Sequence, residues 1–321
     1  MAIAVAVIGA GFMGQLWARA LHEHIGAKVT VIGDVDAGRG KTLADKVGAR
    51  FVHGAAEAAS AQGVDAVVVC TPEHLHLEPT AAALAARRPT AVEKPTAHTV
   101  EIADEITRLA EKAGVPFLAG HVLRLEPRYA AMKAAIAQGR IGKVISVRSE
   151  RIGLQADKAR LGQRTTVALY YAVHELDIAR WYAGDIEIIH GEGDDNLLSG
   201  ALRFKSGASG TIQVGWCLPD RTPGYGMAGV TVVGENGVLK VTQGDNGIAI
   251  VDANGLVDVD VIYAPDINGK LGGSIAREAD HFVEVAMGKV PSICSAADGA
   301  AAVRASLALE ASARDRKSVR I

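Results

Sequence analysis

The sequence has few of the residues that mark several protein classes. Aromatic residues make up only 4% of its 321 positions, so the core must be built mainly from Ala, Val, Leu and Ile. The three cysteines, Cys70, Cys217 and Cys294, lie far apart in apolar contexts. This spacing favours reduced, buried thiols over a disulfide framework. No Cys-x-x-Cys motif or Cys/His cluster is present, and we therefore expect no bound metal.

The chain also lacks a strong charge of either sign. Its formal net charge is -2, with 49% hydrophobic and 22% charged residues. It has neither the basic field that nucleic acid requires nor a polybasic membrane patch. The apolar N-terminus has no basic lead-in and breaks at Gly9 after about eight residues, too few for a signal peptide or a spanning helix. We expect a cytoplasmic enzyme with no nucleic-acid or membrane partner.

The strongest motif lies in the first fourteen residues. An apolar run, Ile3–Ile8, passes directly into a G-x-G-x-x-G turn that ends at Gly14. The first glycine permits a tight turn, the second lets backbone approach a pyrophosphate, and the third lets the next helix lie close to the sheet. Glycines also occur in α/β turns that bind nothing, but the preceding strand favours nucleotide binding. The predicted cofactor contacts of this turn are Gly9, Gly11, Phe12, Met13 and Gly14.

The expected acidic residue follows at the end of the second apolar strand. Asp34 stands twenty residues after Gly14. A carboxylate at this position accepts hydrogen bonds from the adenosine ribose and repels a 2′-phosphate, so we expect NAD rather than NADP. Arg39 leaves NADP open, because its guanidinium could reach that phosphate if Asp34 turned away.

The order of short strands and helices predicts two domains in an α/β fold. Up to residue 120, six apolar strands alternate with amphipathic helices, as in a parallel Rossmann sheet. Later strands follow one another without helices, which indicates a mostly antiparallel open sheet. We therefore predict a Rossmann dinucleotide-binding domain over 1–120 and an α+β substrate-binding and oligomerisation domain over 121–321. The open sheet face needs cover, so we expect a homodimer or homotetramer.

Several strands and helices of the second domain can be predicted individually. A strand is predicted over 143–148, followed by a polar stretch over 153–164. A helix is predicted over about 166–182. Two helices, over 274–287 and 296–314, are expected to close the chain.

Candidate catalytic residues follow two neighbouring strands of the first domain. The fourth strand ends before Thr71 and Pro72, and the fifth ends in Glu93, Lys94 and Pro95. Ligands of open parallel sheets bind beyond the carboxyl ends of the strands. Pro72 could lie under the nicotinamide ribose, and the Lys94 ammonium could stabilise a developing alkoxide. Alternatively, Lys94 is a surface lysine paired with Glu93.

A predicted helix of the second domain carries a second set of candidate catalytic residues. Tyr170, His174 and Asp177 recur at i, i+4 and i+7, which places them on one helical face. A histidine between a tyrosine and a carboxylate could act as a general base. Alternatively, it is a structural histidine. The apolar neighbours expected to hold this helix against the core are Val173, Leu176 and Trp181.

Together, these motifs resemble the glucose-fructose oxidoreductase and inositol dehydrogenase family along the whole chain. The resemblance implies a nicotinamide-dependent oxidoreductase that acts on a secondary alcohol of a sugar or cyclitol, or on the matching ketone. It implies that Lys94 is the lysine of the family's Glu-Lys-Pro signature and that His174 is its catalytic histidine. His76 matches a histidine often found after Thr-Pro. The predicted cofactor contacts beyond the glycine turn are Asp34, Arg39, Thr71, Pro72, His76, Glu93 and Lys94.

One position departs from the family pattern. Relatives of the inositol dehydrogenase type carry an aspartate four residues before the histidine, where this sequence has Tyr170. A tyrosine beside a lysine could relay a proton, or it could wall the substrate pocket. We expect Lys94 or His174 to accept the alcohol proton while Tyr170 or Asp177 orients them.

The departure at Tyr170 keeps other functions open. One alternative is the reduction of an imine or ketone, or a transient oxidation within a net hydrolysis or elimination that recycles the cofactor. Another is a nucleotide-sensing protein without turnover, against which Lys94 and His174 argue.

Further side chains are candidates for substrate contacts. Arg160 and Arg164, with Lys158, could bind a carboxylate or phosphate, although such charge runs are usually solvated. His121 and Arg124 follow the sixth strand, where the chain crosses between the predicted domains. We therefore expect both to border the cleft.

Overall fold

The computed structural model describes residues 2–220, 222, 226–243, 249–252 and 255–321. The chain forms two compact units. The first contains Met1–Leu125 and Ile262–Ala300, and the second contains Glu126–Val261 and Ala301–Ile321. The first unit thus includes a segment far beyond the predicted boundary at residue 120. The functional division into two domains stays a prediction.

The helices and strands below are numbered in chain order. The helices are α1 (Phe12–Glu23), α2 (Ala37–Val47), α3 (Ala55–Ala59), α4 (Leu77–Ala85), α5 (Val100–Ala113), α6 (Pro127–Ala137), α7 (Gln155–Leu161), α8 (Val173–Ala183), α9 (Gly273–Ala286) and α10 (Ala296–Asp315). The strands are β1 (Ile3–Ile8), β2 (Ala27–Asp34), β3 (Arg50–His53), β4 (Ala66–Val69), β5 (Thr90–Glu93), β6 (Phe117–Gly120), β7 (Val144–Leu154), β8 (Ile186–Gly193), β9 (Leu197–Phe204), β10 (Ser209–Leu218), β11 (Met227–Gly234), β12 (Gly237–Gln243), β13 (Ala249–Asp252), β14 (Gly255–Asp258), β15 (Asp266–Ile267), β16 (Lys270–Leu271) and β17 (Val319–Arg320).

The first unit is built on a six-stranded parallel sheet. Its strand order is β3-β2-β1-β4-β5-β6, as the alternation of strands and helices predicts. All of β4, β5 and β6 is buried, because helices cover both faces of a doubly wound parallel sheet. Strand order reverses between β1 and β4. The carboxyl ends of these two strands are therefore the expected ligand-binding edge.

The helices of this unit begin and end at residues suited to those positions. The α5 helix starts at Thr99, whose side chain accepts a hydrogen bond from the backbone of Ile102, and it stops at Gly114 in the left-handed region. The α9 helix packs against α1, with the ring of Phe282 edge-on to Trp17 at 6.1 Å between centroids. The C-terminal part of the chain thereby completes the core of the first unit.

The second unit is built on a seven-stranded mixed sheet, ordered β12-β11-β7-β10-β9-β8-β17. All its pairs are antiparallel except β7 with β10. The prediction of a mostly antiparallel sheet is confirmed. The one parallel pair arises because helical segments separate β7 from the later strands. Among the described residues, no helix combines the length and the apolar composition needed to cross a lipid bilayer.

The second unit differs from the local predictions at three places. The predicted strand over 143–148 continues to Leu154, and the polar stretch after it contains α7. The predicted helix over 166–182 is present, but it contains a π-helical turn over Ala168–Ala172 that runs directly into α8. The tail after α10 adds an unpredicted strand, β17, which pairs with β8.

One face of this sheet is covered and the other is exposed. On β10, Ile212 and Val214 are buried, whereas Thr211 and Gln213 point the opposite way and are exposed. The α8 helix packs against β7 and β10 on the covered side. The exposed side carries mainly polar and charged residues, including Arg148, Glu150, His190, Glu192, Thr211 and Gln213.

Candidate functional site

The turn after β1 requires glycine at two positions because of close backbone contacts. A Cβ atom on Gly9, whose φ is 97°, would lie 2.7 Å from the Cys70 carbonyl oxygen. A Cβ atom on Gly14 would lie 1.7 Å from the Gly9 carbonyl oxygen. Gly11 differs, because a Cβ there would meet no atom within 4 Å. The turn therefore packs tightly on the sheet and faces open space at its middle glycine.

The N-terminus of α1 has the features of an anion site. Gly11 occupies the N-cap position, so no side chain caps the first amides, and the first turn contains no acidic residue. Free amides and the helix dipole favour a phosphate group at such an end. Phe12 is exposed, and Met13 is half-buried with its sulfur 3.4 Å from the Tyr263 hydroxyl. The open space at Gly11 and the uncapped amides fit the pyrophosphate of a dinucleotide.

Asp34 lies at the end of β2 and is bonded on several sides. Its carboxylate accepts hydrogen bonds from the backbone amides of Ala10 at 2.6 Å and Asp36 at 2.8 Å. Arg39 adds a charged contact, with Nη2 2.8 Å from Oδ1. Burial opposes ionisation, but the bonds from Arg39 and the amides outweigh it and hold the pKa of Asp34 below its ordinary value. Asp34 thus fixes the glycine turn to β2, and its carboxylate forms an ion pair with Arg39.

His76 connects the turns that follow β4 and β5. Its ring is buried, with Nε2 2.7 Å from the Thr71 carbonyl oxygen and Nδ1 3.2 Å from that of Thr96. Burial lowers the pKa of His76, although both carbonyls oppose this effect, so the ring is neutral at physiological pH. A neutral ring donates one hydrogen bond, so it can donate to only one of these two carbonyl oxygens at a time. His76 therefore braces the turn that carries Thr71 and Pro72, and its contact with a cofactor stays a prediction.

Glu93 and Lys94 occupy different environments although they are adjacent. Glu93 is buried and accepts hydrogen bonds from Trp17 Nε1 at 2.7 Å and from the Lys94 backbone amide at 3.1 Å. Lys94 is half-buried and is joined to Pro95 by a cis peptide bond. Lys94 thus lies at the expected edge of the sheet, on backbone that the Glu93 side chain helps to fix.

His121 and Arg124 are both buried after β6. Arg124 donates from Nη1 to the Ile293 carbonyl oxygen at 2.8 Å, and its Nη2 lies 3.4 Å from Asp298. These bonds hold the turn over Val122–Leu125 against the segment before and within α10. Arg124 thus has a clear structural role, and the predicted substrate contacts of both residues stay predictions.

Tyr170 lies in the π-helical turn of the second unit. The extra residue in that turn lets two neighbouring tyrosines, Tyr170 and Tyr171, pack against Trp216, with ring centroids 6.1 and 6.3 Å away. Single π-helical turns are often found at functional sites. The sequence reasoning missed this turn, because helical periodicity does not reveal one inserted residue.

The short helix α7 approaches the Tyr170 hydroxyl. Arg160 Nη2 lies 3.5 Å from it and 2.7 Å from Asp157, which also accepts a hydrogen bond from Tyr171. Burial and Asp157 raise the pKa of Tyr170, and the opposing charges of Arg160 and Arg164 do not reverse this. Tyr170 is therefore a protonated donor.

The α8 helix carries His174 near its start. His174 is half-buried, whereas Asp177 is buried inside the unit, together with Val173 and Leu176. The predicted packing of Val173 and Leu176 is confirmed. Trp181 is only half-buried, and its carbonyl oxygen accepts a hydrogen bond from Lys133.

A buried ion pair anchors α8 to β7. Glu175 is fully buried, and its Oε1 lies 2.7 Å from Arg151 Nε. The sequence analysis missed this pair because it ended the strand at residue 148. One signal could have revealed this pair. It is the occurrence of an arginine and a glutamate in two segments whose apolar patterns both indicate burial.

The three cysteines differ in their exposure to solvent. All three are free, with Cys294 buried, Cys70 half-buried and Cys217 exposed. The expectation of buried thiols is wrong for Cys217, because it points outward from β10. Within the described ranges, no group of His, Cys, Asp or Glu side chains could hold a metal ion.

Comparisons with known proteins match both parts of the chain. A family model described as an oxidoreductase family with an NAD-binding Rossmann fold matches residues 3–121. Another, described as the GFO/IDH/MocA C-terminal domain, matches residues 129–240. Myo-inositol dehydrogenase Hyg17 of Streptomyces leeuwenhoekii is 30% identical over 74% of this chain and 75% of its own length.

Two other similar proteins are informative. The 2,7-anhydro-N-acetylneuraminate hydratase of Escherichia coli K12 is 29% identical over 65% of this chain and 60% of its own length. The chain spans about half to three-fifths of the first curated relatives that it matches. A crystal structure of scyllo-inositol dehydrogenase from Lactobacillus casei with bound NAD(H) and scyllo-inositol has a TM-score of 0.85 at 18% identity, covering 100% of this chain and 99% of the other. At this level of identity, the likeness shows that the two proteins share a fold.

Proposed function

Since the chain belongs to the GFO/IDH/MocA family of oxidoreductases, we propose that it transfers a hydride between NAD and a secondary alcohol of a sugar or cyclitol, or the matching ketone. The observation that carries the proposal is the bond from the Ala10 amide to Asp34, which joins the glycine turn to the acidic end of β2. This arrangement suits the pyrophosphate and the ribose of one dinucleotide.

The residues that would hold the cofactor belong to the first unit. Gly11 and the first amides of α1 would receive the pyrophosphate, and Asp34 would accept bonds from the adenosine ribose. Arg39 is held by Asp34, so it neutralises the carboxylate in part and leaves room for NADP as a weaker cofactor. The further predicted contacts are Gly9, Phe12, Met13, Gly14, Thr71, Pro72, His76, Glu93 and Lys94.

When bound, NAD supplies the acceptor for the substrate hydride. Lys94 and His174 are proposed to handle the proton of the reacting hydroxyl, with the ammonium stabilising charge on oxygen. Tyr170 is proposed to act as a hydrogen-bond donor to the substrate, because it keeps its proton. Asp177 is buried in α8 and would act by orienting that helix turn rather than by proton exchange with solvent.

The proposal is tested by a substrate screen. Sugars, cyclitols and their amino and acidic derivatives are incubated with the protein and either NAD or NADP, and reduced nicotinamide is measured by absorbance. We expect turnover on at least one polyol, with NAD preferred. Cofactor binding by calorimetry without turnover on any member would favour a nucleotide sensor instead. Because Arg160 and Arg164 are positively charged, we expect acidic derivatives to compete well with neutral sugars and cyclitols for the substrate site.

A second candidate is a net hydration or hydrolysis in which the substrate is transiently oxidised. Tyr170 in place of the family aspartate and the similarity to a hydratase favour it. In that reaction the substrate is oxidised and later reduced, so product accumulates without net reduced nicotinamide. Mass analysis of product formed with substoichiometric NAD separates the two reactions.

We also propose a homodimer or homotetramer in the cytoplasm. The exposed face of the second unit's sheet is broad and lies opposite the face covered by α8. Open sheets of this kind commonly pair with a second copy. The three free cysteines are consistent with a reducing compartment.

A further inference from the structure

Tyr263 lies beside the first turn of α1, although 250 positions separate it from Met13 in the sequence. Its hydroxyl donates a hydrogen bond to the Met13 sulfur at 3.4 Å. Met13 is the second residue of α1, which begins at Phe12. Both Tyr263 and Met13 are half-buried. A polar side chain from the C-terminal part of the first unit is thus brought to the end of α1 that carries the uncapped amides.

A short hairpin holds this segment along α1. The hairpin consists of β15 and β16, which pair in antiparallel fashion. Arg19 donates from Nη2 to the Asp266 carboxylate at 2.6 Å and to the Gly269 carbonyl oxygen at 3.2 Å. The Leu271 amide donates at 2.6 Å to Glu23, the last residue of α1. These bonds fix the hairpin to the C-terminal half of α1, while Tyr263 reaches the first turn.

The backbone at Tyr263 is fixed by α9. The Ile275 amide, in the first turn of α9, donates to the Tyr263 carbonyl oxygen at 3.1 Å. Ser274 donates twice to the Ile262 carbonyl oxygen, from its amide at 2.8 Å and from its hydroxyl at 3.0 Å. Because α9 itself packs on α1, the Tyr263 hydroxyl is held at its position. Little conformational entropy is then lost when such a group binds a ligand.

The Met13 sulfur is a weak partner for the Tyr263 hydroxyl. A thioether sulfur is a weak hydrogen-bond acceptor, whereas a phosphate oxygen is charged. Hydrogen bonds to ionised acceptors are roughly twice as strong as those between neutral groups. The first turn of α1 contains no acidic residue that would repel an anion. A phosphate group at this turn would therefore displace the sulfur as the acceptor of the hydroxyl.

We propose that Tyr263 is a cofactor-binding residue whose hydroxyl donates a hydrogen bond to the pyrophosphate of the dinucleotide. On binding, the hydroxyl exchanges the Met13 sulfur for a phosphate oxygen. The inference rests on the function proposed above, in which Gly11 and the first amides of α1 receive the pyrophosphate. Tyr263 adds a side-chain donor from a distant segment to those backbone amides.

Tyr263→Phe removes the hydroxyl and keeps the ring, so it tests this contact directly. We expect the dissociation constant for NAD, measured by calorimetry, to rise about tenfold, because a hydrogen bond to a charged group commonly contributes this factor. The melting temperature without NAD should stay at the wild-type value, since only a weak contact to sulfur is lost. The matched control is Tyr182→Phe, which removes a hydroxyl that donates to the Tyr129 carbonyl oxygen in the second unit. The control should leave the affinity for NAD unchanged.

A comparison of ligands separates a phosphate contact from structural support of the whole site. ADP-ribose contains the pyrophosphate, and adenosine contains no phosphate. We expect Tyr263→Phe to weaken ADP-ribose as much as NAD and to leave the affinity for adenosine, measured by competition, unchanged. An equal loss for all three ligands would overturn the proposal, because Tyr263 would then support the site structurally. A loss for NAD that spares ADP-ribose would overturn it too, because the contact would then be with the nicotinamide half.

Phosphorus NMR of bound NAD reports on the contact without any turnover. We expect a pyrophosphate resonance to shift between the wild-type protein and Tyr263→Phe, and no shift in Tyr182→Phe. Identical resonances in wild type and Tyr263→Phe would overturn the inference and leave the proposed function intact, as would an unchanged affinity for NAD. Failure of the proposed function appears differently, as a wild-type protein that binds neither NAD nor ADP-ribose, and it would overturn this inference as well.

Discussion

At the end of β2, a carboxylate and a guanidinium are paired where the cofactor's ribose is expected. Asp34 is almost fully buried, whereas the side chain of Arg39 is 47% exposed. The buried carboxylate is thus fixed, and the exposed guanidinium is free to turn once that carboxylate is removed. Choice of cofactor should therefore depend on Asp34 first and on Arg39 second.

Asp34→Asn should shift the preference toward NADP. The amide oxygen can still accept from Ala10, but the negative charge that repels a 2′-phosphate and holds Arg39 is lost. A hydrogen bond to a charged group contributes about 1.5–3 kcal/mol, so the ratio of kcat/KM for NAD over NADP should fall at least about tenfold. Adding Arg39→Leu should abolish the gain with NADP. An unchanged ratio would contradict the role of Asp34.

Loss of the Lys94 side chain should lower the turnover rate strongly and leave the affinity for NAD nearly unchanged. Proton transfer by a positioned side chain contributes about 10²–10⁴-fold, so Lys94→Ala should lower kcat by that range. The dissociation constant of NAD, measured by calorimetry, should change less than about twofold. Lys94→Arg is the matched control, since it keeps the charge but cannot release a proton. Near-normal turnover of the Ala variant would remove Lys94 from the mechanism.

Glu278 should make the stability of the protein depend on pH. Its pKa is raised in the folded state, so the folded chain holds a proton that the unfolded chain releases above about pH 4.5. Stability from this residue is therefore present below that pH and falls as the pH rises, by up to about 1.4 kcal/mol per unit. The free energy of unfolding of Glu278→Gln, measured in urea, should increasingly exceed that of wild type from pH 5 to 8. A constant difference would argue against a raised pKa.

Among the elements, α8 is attached to the sheet by a buried ion pair as well as by its apolar face. The pair of Arg151 and Glu175 joins β7 to the turn that contains His174. Because helix propensity does not determine where a helix lies, this contact and the apolar face of α8 fix the direction of His174 in its unit. The preceding π-helical turn sets the orientation of Tyr170 relative to Trp216.

Removing one partner of this pair should destabilise the protein strongly. Glu175→Leu leaves the Arg151 guanidinium buried without its anion, which costs about 3–5 kcal/mol in comparable sites. The double variant Arg151→Met/Glu175→Leu should recover most of that loss. Urea denaturation of the two variants, followed by circular dichroism, measures the difference. Equal destabilisation of both would show that the loss arises from packing rather than from the unpaired charge.

For the whole molecule, the exposed sheet face of the second unit is the expected contact between copies. Thr211→Lys places a charge at the centre of that face, and a symmetric interface would bring two such charges together. Light scattering should show a dimer or tetramer for wild type and a shift toward monomer for the variant. Gln62→Lys, on an exposed loop of the first unit, is a charge-matched control. A wild-type monomer at micromolar concentration would contradict the proposal.

The sequence by itself determined the features that depend on neighbouring residues. Ile3–Ile8, the glycine turn and α1 are contiguous, and their conformations follow from apolar patterning and from glycine's lack of a Cβ. The position of Lys94 at a strand end follows from the same local pattern. The six parallel strands and the mostly antiparallel second sheet could be predicted because strand and helix periodicities differ.

Only the tertiary structure decided the contacts between distant segments. The hydrogen bond from Trp17 to Glu93, the ion pair of Arg151 with Glu175 and the return of Ile262–Ala300 to the first unit join residues that no local pattern connects. The π-helical turn likewise reflects aromatic packing on Trp216 rather than any periodicity. Burial decides which carboxyl group is charged and which arginine is structural, because desolvation and the supply of hydrogen-bond donors depend on the folded surroundings.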